Sequence, residues 1–116
     1  MKHIPPPPVL DCARVMAYAF VEDIPYRRWG ALYMDGVLLE HVPCLAICIN
    51  LGSDRSVMFF RCDLEWKVLG ASIEPAAAEA KAKAEENYPG VTSRWIDVNT
   101  SVKAALEWRT LSRRRL

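Results

Sequence analysis

Two apolar runs that flank a short polar turn constrain the fold of this chain more than any other feature. The runs are CLAICINL, residues 44–51, and SVMFFRC, residues 56–62, with GSDR between them. Pro43 and Gly52 bound the first run, and a run of this length between breakers is typical of a β-strand. The sequence therefore predicts a hairpin with two apolar faces, which must be central in a sheet or covered by another subunit.

The turns around this hairpin predict its register and its continuation. DLEW, residues 63–66, makes the next tight connection, and KVLGASI returns as a third strand, so that residues 44–73 form a meander. Gly70 in that strand indicates that another backbone approaches closely. With Ser53 at the centre of the first turn, the opposed pairs are Cys44 with Cys62, Ala46 with Phe60, and Cys48 with Met58.

Another strand is predicted upstream. CARVMAYAFVE, residues 12–22, alternates along its length, as a half-buried β-strand does. Further on, Asp35-Gly36 between LYM and VLLE predicts a two-residue hairpin turn, with a short helix over residues 26–33 as the alternative for the first half. One face of the upstream strand is predicted to carry Ala13, Val15, Ala17, Ala19 and Val21, and the other face Arg14, Met16, Tyr18, Phe20 and Glu22.

The last third of the chain predicts two helices separated by a strand. Glu74-Pro75 opens the first helix, which runs through AAAEAKAKAEENY, and VTSRWIDV, residues 91–98, follows as a strand. Asn99 or Thr100 caps the second helix. The first helix presents a stripe of Ala77, Ala80, Ala84 and Tyr88, with Glu79–Lys83 and Lys81–Glu85 as exposed i,i+4 pairs; the second turns Val102, Ala105, Leu106, Trp108 and Leu111 inward.

These elements predict an α+β fold. Its centre is a mostly antiparallel meander sheet of about five to six strands, with two C-terminal helices, one of them packed on the sheet. Residues 1–10 form a proline-rich N-terminal arm, because Pro5 to Pro8 are restricted to an extended backbone. Residues 11–116 form a single domain, a length that is sufficient for one hydrophobic core.

Composition narrows the classes of partner and compartment. Hydrophobic residues make up 52% and charged residues 25%, and the net charge of +1 gives no overall attraction to nucleic acid or acidic membranes. No run approaches the length that spans a bilayer, and MKHIPPPPVL has prolines where a signal peptide has an apolar helix. We therefore expect a cytoplasmic protein with no membrane partner, in which the four cysteines are free thiols.

The spacing of the cysteines and histidines disfavours both a metal site and a catalytic thiol. His41, Cys44, Cys48 and Cys62 have the side chains that zinc prefers. On a strand, however, Cys44 and Cys48 stand roughly 13 Å apart, too far to share one ion. Neither His41 nor His3 is placed beside an exposed cysteine that it could activate. We expect buried structural thiols, no metal and no cofactor.

No other catalytic pattern stands out. Asp63 and Glu65 share a turn, where acidic side chains usually bond the turn backbone. The chain has no P-loop, no G-x-G-x-x-G, no G-x-S-x-G and no H-E-x-x-H. The sequence disfavours an enzyme without excluding one.

Arginine and aromatic residues occur together and suggest a binding surface. Tyr26, Arg27, Arg28 and Trp29 follow one another in a predicted loop, and these residue types are enriched at binding hot spots. We predict that they contact a protein partner. The arginine–tryptophan pairing recurs at Arg94-Trp95 and Trp108-Arg109, and Arg113 to Arg115 end the chain, while Trp66 and Trp95 are expected in the core.

Three functions from different classes remain open. The first is a small non-enzymatic protein-interaction module of the inhibitor, immunity or adaptor type, possible also as a homodimer. The second is a nucleic-acid-binding protein that uses the arginine and tryptophan surface, which requires these arginines to cluster on one face. The third is a small-ligand binder or enzyme with a pocket on the sheet, lined by polar groups such as Arg14, Tyr18, His41 or Asp63. The first is favoured.

Overall fold

The structure is a computed structural model that describes residues 3–25, 33–34, 37–38, 42–52 and 56–114. Within these ranges it has eight strands, two α-helices and one 3-10 helix. In chain order they are β1 (Val9–Leu10), β2 (Ala13–Phe20), β3 (Tyr33–Met34), β4 (Val37–Leu38), β5 (Cys44–Asn50), β6 (Val57–Cys62), β7 (Val68–Glu74), α1 (Ala77–Asn87), the 3-10 helix Val91–Arg94, β8 (Ile96–Asp97) and α2 (Val102–Arg114).

One antiparallel sheet organises these elements. Its strand order is β1-β2-β5-β6-β7, and β8 pairs with the same edge of β2 that β1 uses at the other end. A separate two-stranded hairpin pairs β3 with β4, as the Asp35-Gly36 pattern predicts, although those two turn residues lie outside the described ranges. With its two helices, the chain has the predicted α+β fold.

The central meander is confirmed in its strands and in the register of its hairpin. β5, β6 and β7 follow one another in the sheet, and Cys44 lies opposite Cys62, as the turn position predicts. Gly70 lies opposite the buried Arg61, whose guanidinium carbon is 4.7 Å from the ring centroid of Phe59. Both faces of the β5–β6 hairpin carry buried side chains, because each face packs against a different part of the chain, whereas β7 is half-buried to exposed.

The alternation in β2 is confirmed as burial, but the prediction that it lies on one face is wrong. Every second residue from Ala13 to Ala19 is buried, yet the pairing with β5 shifts by one residue between Val15 and Ala17. Met16 is the extra residue of this β-bulge, so the small side chains before and after it point to opposite faces. The carbonyl of Met16 accepts hydrogen bonds from the N–H groups of Val98 and Asn99, so the segment after β8 fixes the bulge.

Helix α1 covers one face of the sheet but starts later than predicted. The strand β7 continues to Glu74, and the helix begins at Ala77. Ala80 and Ala84 are buried against the sheet, and so is Tyr88 just after the helix, whereas Ala77 is exposed. The cluster on this face also contains Leu45, Ile47, Phe59, Val21, Ile24, Val42 and Val91.

The predicted i,i+4 pairs on α1 are not what the structure shows. Lys83 reaches back to Glu74 at the end of β7, with 3.1 Å between Nζ and Oε2. Glu85 accepts hydrogen bonds from the N–H groups of Gly90 and Thr92. The Glu74 carboxylate is largely buried, and the N–H groups that Glu85 binds belong to the backbone, so both contacts need less ordering than a pair of flexible exposed side chains.

The segment 91–98 is mostly not the predicted strand. Val91–Arg94 is a 3-10 helix, and β8 covers only Ile96–Asp97. Gly90, at a φ of 101°, turns the chain after α1, and Val91 is buried in the cluster beneath the helix. Trp95 packs against the same cluster, partly buried.

The other face of the sheet is covered by Trp66 and by the N-terminal arm. Trp66 is 4% exposed, as expected for a core residue, and its indole N–H donates to the carbonyl of Ile4. The His3 ring stacks on Phe20 with ring centroids 4.3 Å apart, and Tyr18 makes edge contacts with Phe20 and Trp66. The cluster beneath contains Leu10, Ala13, Val15, Cys44, Ala46, Cys48, Phe60 and Cys62.

Candidate functional site

The predicted partner-binding residues form no part of the described ranges. Tyr26, Arg27, Arg28 and Trp29 lie outside the described residues, and so does His41. Their role as a contact surface therefore stays a prediction.

The thiols are arranged for packing. Cys44, Cys48 and Cys62 are fully buried on the face of the sheet below Trp66, and Cys12 is exposed in the turn between β1 and β2. Burial raises the pKa of the Cys44 thiol and of the Cys62 thiol to about 12. It raises the pKa of the Cys48 thiol as well. Because the thiolate is the reactive form, these three groups are poor nucleophiles.

The carboxylate of Asp63 stabilises its own turn. Asp63 Oδ1 accepts from the N–H groups of Glu65 and Lys67, as predicted for an acidic residue in a turn. Among the described residues, no group of three or more His, Cys, Asp and Glu side chains could hold a metal ion.

Several arginines are engaged in intramolecular contacts. Arg94 makes two hydrogen bonds to Asp23, at 2.5 and 3.1 Å, and this contact lowers the pKa of the Asp23 carboxyl. Arg14 donates to the carbonyl of Thr100, and Arg61 is buried against Phe59. These three arginines of the described residues bind separate parts of the fold.

An open cleft lies where the arm meets the end of β2. It is lined by His3, Phe20, Glu22, Asp23 and Arg94 and has a volume of about 610 Å³. Its charged groups are paired with one another, His3 with Glu22 and Arg94 with Asp23. A ligand would have to displace these pairs to bind there, so the cleft is a poor candidate site.

The most unusual surface is apolar and lies on β8 and α2. Ile96, Val98, Val102 and Leu106 are each 45–49% exposed, and we call these four residues the β8–α2 surface. Val102 and Leu106 are one turn apart on the same face of α2, while Ala105 is the buried contact of the helix. The prediction that Val102 and Leu106 face inward is therefore wrong.

Leu111 was also expected to face inward and is 58% exposed. Helical spacing places it on the side of α2 opposite Val102, so it does not belong to the β8–α2 surface. The physical reason for both errors is the same: α2 packs mainly against β1, and the side chains that it buries wholly or partly include Ala105 and Trp108 rather than Val102, Leu106 and Leu111. The spacing of four residues between Val102 and Leu106 places them on one face of α2, but it is equally the spacing of a buried face, so the sequence carried no signal that this face is exposed.

The helix that carries half of this surface is basic in sequence. The sequence of α2, VKAALEWRTLSRR, contains four basic residues and one acidic residue.

No helix in the described part of the chain is long and apolar enough to cross a bilayer. Searches against protein-family models, curated proteins and solved structures found no match for the chain.

Proposed function

We propose that this chain is a small, non-enzymatic protein-interaction module of the inhibitor, immunity or adaptor type. The observation that carries the proposal is the β8–α2 surface, where four aliphatic side chains are about half exposed. Isolated exposed apolar side chains are ordinary, but these four lie within the eleven residues 96–106, and such a group of half-exposed aliphatic side chains is typical of protein-binding surfaces. The Tyr26 to Trp29 segment is a second predicted contact.

The charge of α2 indicates the chemistry of the partner. Helix α2 contributes a net charge of +3, from four basic residues and one acidic residue. A partner that covers the aliphatic centre with its own apolar side chains and carries acidic residues at the rim would match this pattern. Nucleic acid would pair its phosphates with the basic residues of α2, but an aliphatic surface is matched better by apolar side chains of a protein, so nucleic acid is the less favoured partner.

The burial of the thiols and the hydrogen bonds of Asp63 favour a binding role over catalysis. Three thiols are buried, with pKa values raised by burial, and Asp63 is used by its own turn. Three buried free thiols also suit a reducing compartment, so we propose a cytoplasmic location.

The test compares two substitutions of the same kind on one helix. Leu106→Glu places a charge in the β8–α2 surface, and Leu111→Glu places the same charge on the other side of α2 at similar exposure. Tagged wild-type protein and both variants are used for affinity capture from the native host, with quantitative mass spectrometry. We expect a partner that is captured by wild type and Leu111→Glu and lost from Leu106→Glu.

Two results would contradict the proposal. One is a capture profile that does not differ between Leu106→Glu and Leu111→Glu while both variants remain folded by circular dichroism. The other is nuclease-sensitive capture whose affinity falls steeply with salt, which would indicate the nucleic-acid alternative.

A further inference from the structure

A small pocket lies between the sheet and the start of α1, on the face that the helix covers. Its volume is about 160 Å³. It lies beside the β-bulge of β2, where the shift in register leaves Ala17 as the small residue opposite Ile47. The residues that line it are Met16, Ala17, Ile47, Ile49, Val57, Ala77, Lys81, Asp97 and Asn99.

The volume and the apolar floor limit what can occupy this pocket. A cavity of about 150 Å³ lined by aliphatic side chains holds a molecule the size of benzene, and water is not retained without polar partners. Drug-sized ligands need roughly 300 Å³ or more. The floor therefore fits one short aliphatic group of about three to five carbons.

The rim carries two opposite charges that do not pair with each other. Lys81 lies on α1 and Asp97 on β8, and both line the pocket. Ion pairs among the described residues include His3 with Glu22, Lys83 with Glu74, and Arg94 with Asp23, and Lys81 and Asp97 take part in none of these. The ammonium and the carboxylate are thus separate and free to bind a ligand that carries both charges.

The backbone holds this rim in place. Asn99 has a φ of 51°, a left-handed conformation that asparagine tolerates better than most residues. The N–H groups of Val98 and Asn99 both donate to the carbonyl of Met16, and the N–H of Thr100 donates to the carbonyl of Val15. These bonds fix Asp97 and Asn99 relative to the bulge, so little ordering is needed on binding.

We propose that this pocket binds a free amino acid with a short aliphatic side chain, such as leucine, isoleucine or valine. The side chain occupies the space over Ile47, Ile49 and Val57. The carboxylate binds Lys81 and the ammonium group binds Asp97, while the amide of Asn99 bonds either end. This site goes beyond the proposed interaction surface and shares none of its four residues.

Isothermal titration calorimetry of the full chain tests the proposal. The probes are L-leucine, 4-methylpentanoate, which lacks the ammonium group, and isopentylamine, which lacks the carboxylate. We expect saturable 1:1 binding of L-leucine, and binding of each analogue weaker by about tenfold or more, the value of one charged hydrogen bond.

Variants locate the site. Lys81→Met and Asp97→Asn are each expected to weaken leucine binding by about tenfold or more. Ala77→Leu is expected to abolish it by filling the mouth of the pocket, at little cost in helix propensity. Lys67→Met, at an exposed lysine in the turn before β7, is the control and should bind as wild type does.

Any one of three results would overturn the proposal. The first is that leucine, isoleucine and valine give no saturable heat up to about 10 mM, a range that covers Kd values near 1 mM. The others are equal binding of leucine and 4-methylpentanoate by wild type, and equal leucine binding by Lys81→Met and wild type. Leucine binding by Leu106→Glu separates this site from the interaction surface. If Leu106→Glu binds leucine but has lost its partner, both proposals are supported. If neither wild type nor Leu106→Glu binds leucine, while partner capture still depends on Leu106, only the pocket proposal fails.

Discussion

The hydrogen bond between Val42 and Tyr88 allows a direct test of what stabilises the core cluster below α1. The N–H of Val42 donates to the hydroxyl of Tyr88 at 3.1 Å, and both residues are 1% exposed. Tyr88→Phe keeps the ring in the cluster with Ala84 and Phe59 but leaves a buried N–H without that acceptor. An unsatisfied buried donor costs about 1–3 kcal/mol.

The expected size of the effect follows from the length of the chain. With an unfolding entropy of about 2.1 cal/mol/K per residue, a chain of 116 residues loses about 4 °C in Tm per kcal/mol. Tyr88→Phe should therefore lower the Tm by about 4–12 °C. Differential scanning calorimetry at neutral pH measures the change, and urea unfolding should give the same loss of free energy with an unchanged slope.

Tyr18→Phe is the matched control. It removes the same hydroxyl from a ring on the opposite face, where Tyr18 makes edge contacts with Phe20 and Trp66 through its ring. We expect its Tm to stay within about 2 °C of wild type, as a change of under 0.5 kcal/mol gives. If Tyr88→Phe is as stable as Tyr18→Phe, the Val42 N–H does not depend on Tyr88 and the reasoning is refuted.

Three further predictions follow from the thiols and from the predicted contact loop. In native protein an aromatic disulfide reagent should react quickly with one thiol, Cys12, and with the other three only after denaturation; fast reaction of more than one thiol at pH 8 would contradict the burial. Folding raises the pKa of Cys44 and Cys62 from 9.0 to about 12, so their stabilising contribution is complete below pH 9 and is lost as pH rises towards 12. Each thiol then lowers the unfolding free energy by at most about 1.4 kcal/mol per pH unit, and Cys62→Ala should flatten the fall in Tm between pH 9 and 10. Combined Arg28→Ala and Trp29→Ala should weaken partner binding, measured by calorimetry, with nearly unchanged Tm; a large loss of stability would instead make Trp29 a core residue.

The candidate surfaces were harder to predict than the fold, because exposure depends on neighbours that are distant in sequence. Val102 and Leu106 have the spacing of a buried helix face, but α2 packs mainly against β1 and buries Ala105, and both aliphatic side chains stay about half exposed. Lys81 and Asp97 are separated by sixteen positions and belong to different elements, yet they line one pocket. No local pattern connects them.

The sequence by itself determined the meander. Side chains alternate between faces with a period of two, and a short turn fixes which residues can pair, so Cys44 opposite Cys62 follows from local chemistry. Only the tertiary structure determined to which face of the sheet the buried side chains in each half of β2 point. The bulge at Met16 exists because its carbonyl binds the N–H groups of Val98 and Asn99, eighty residues away, and such a contact leaves no trace in the alternation of β2 itself.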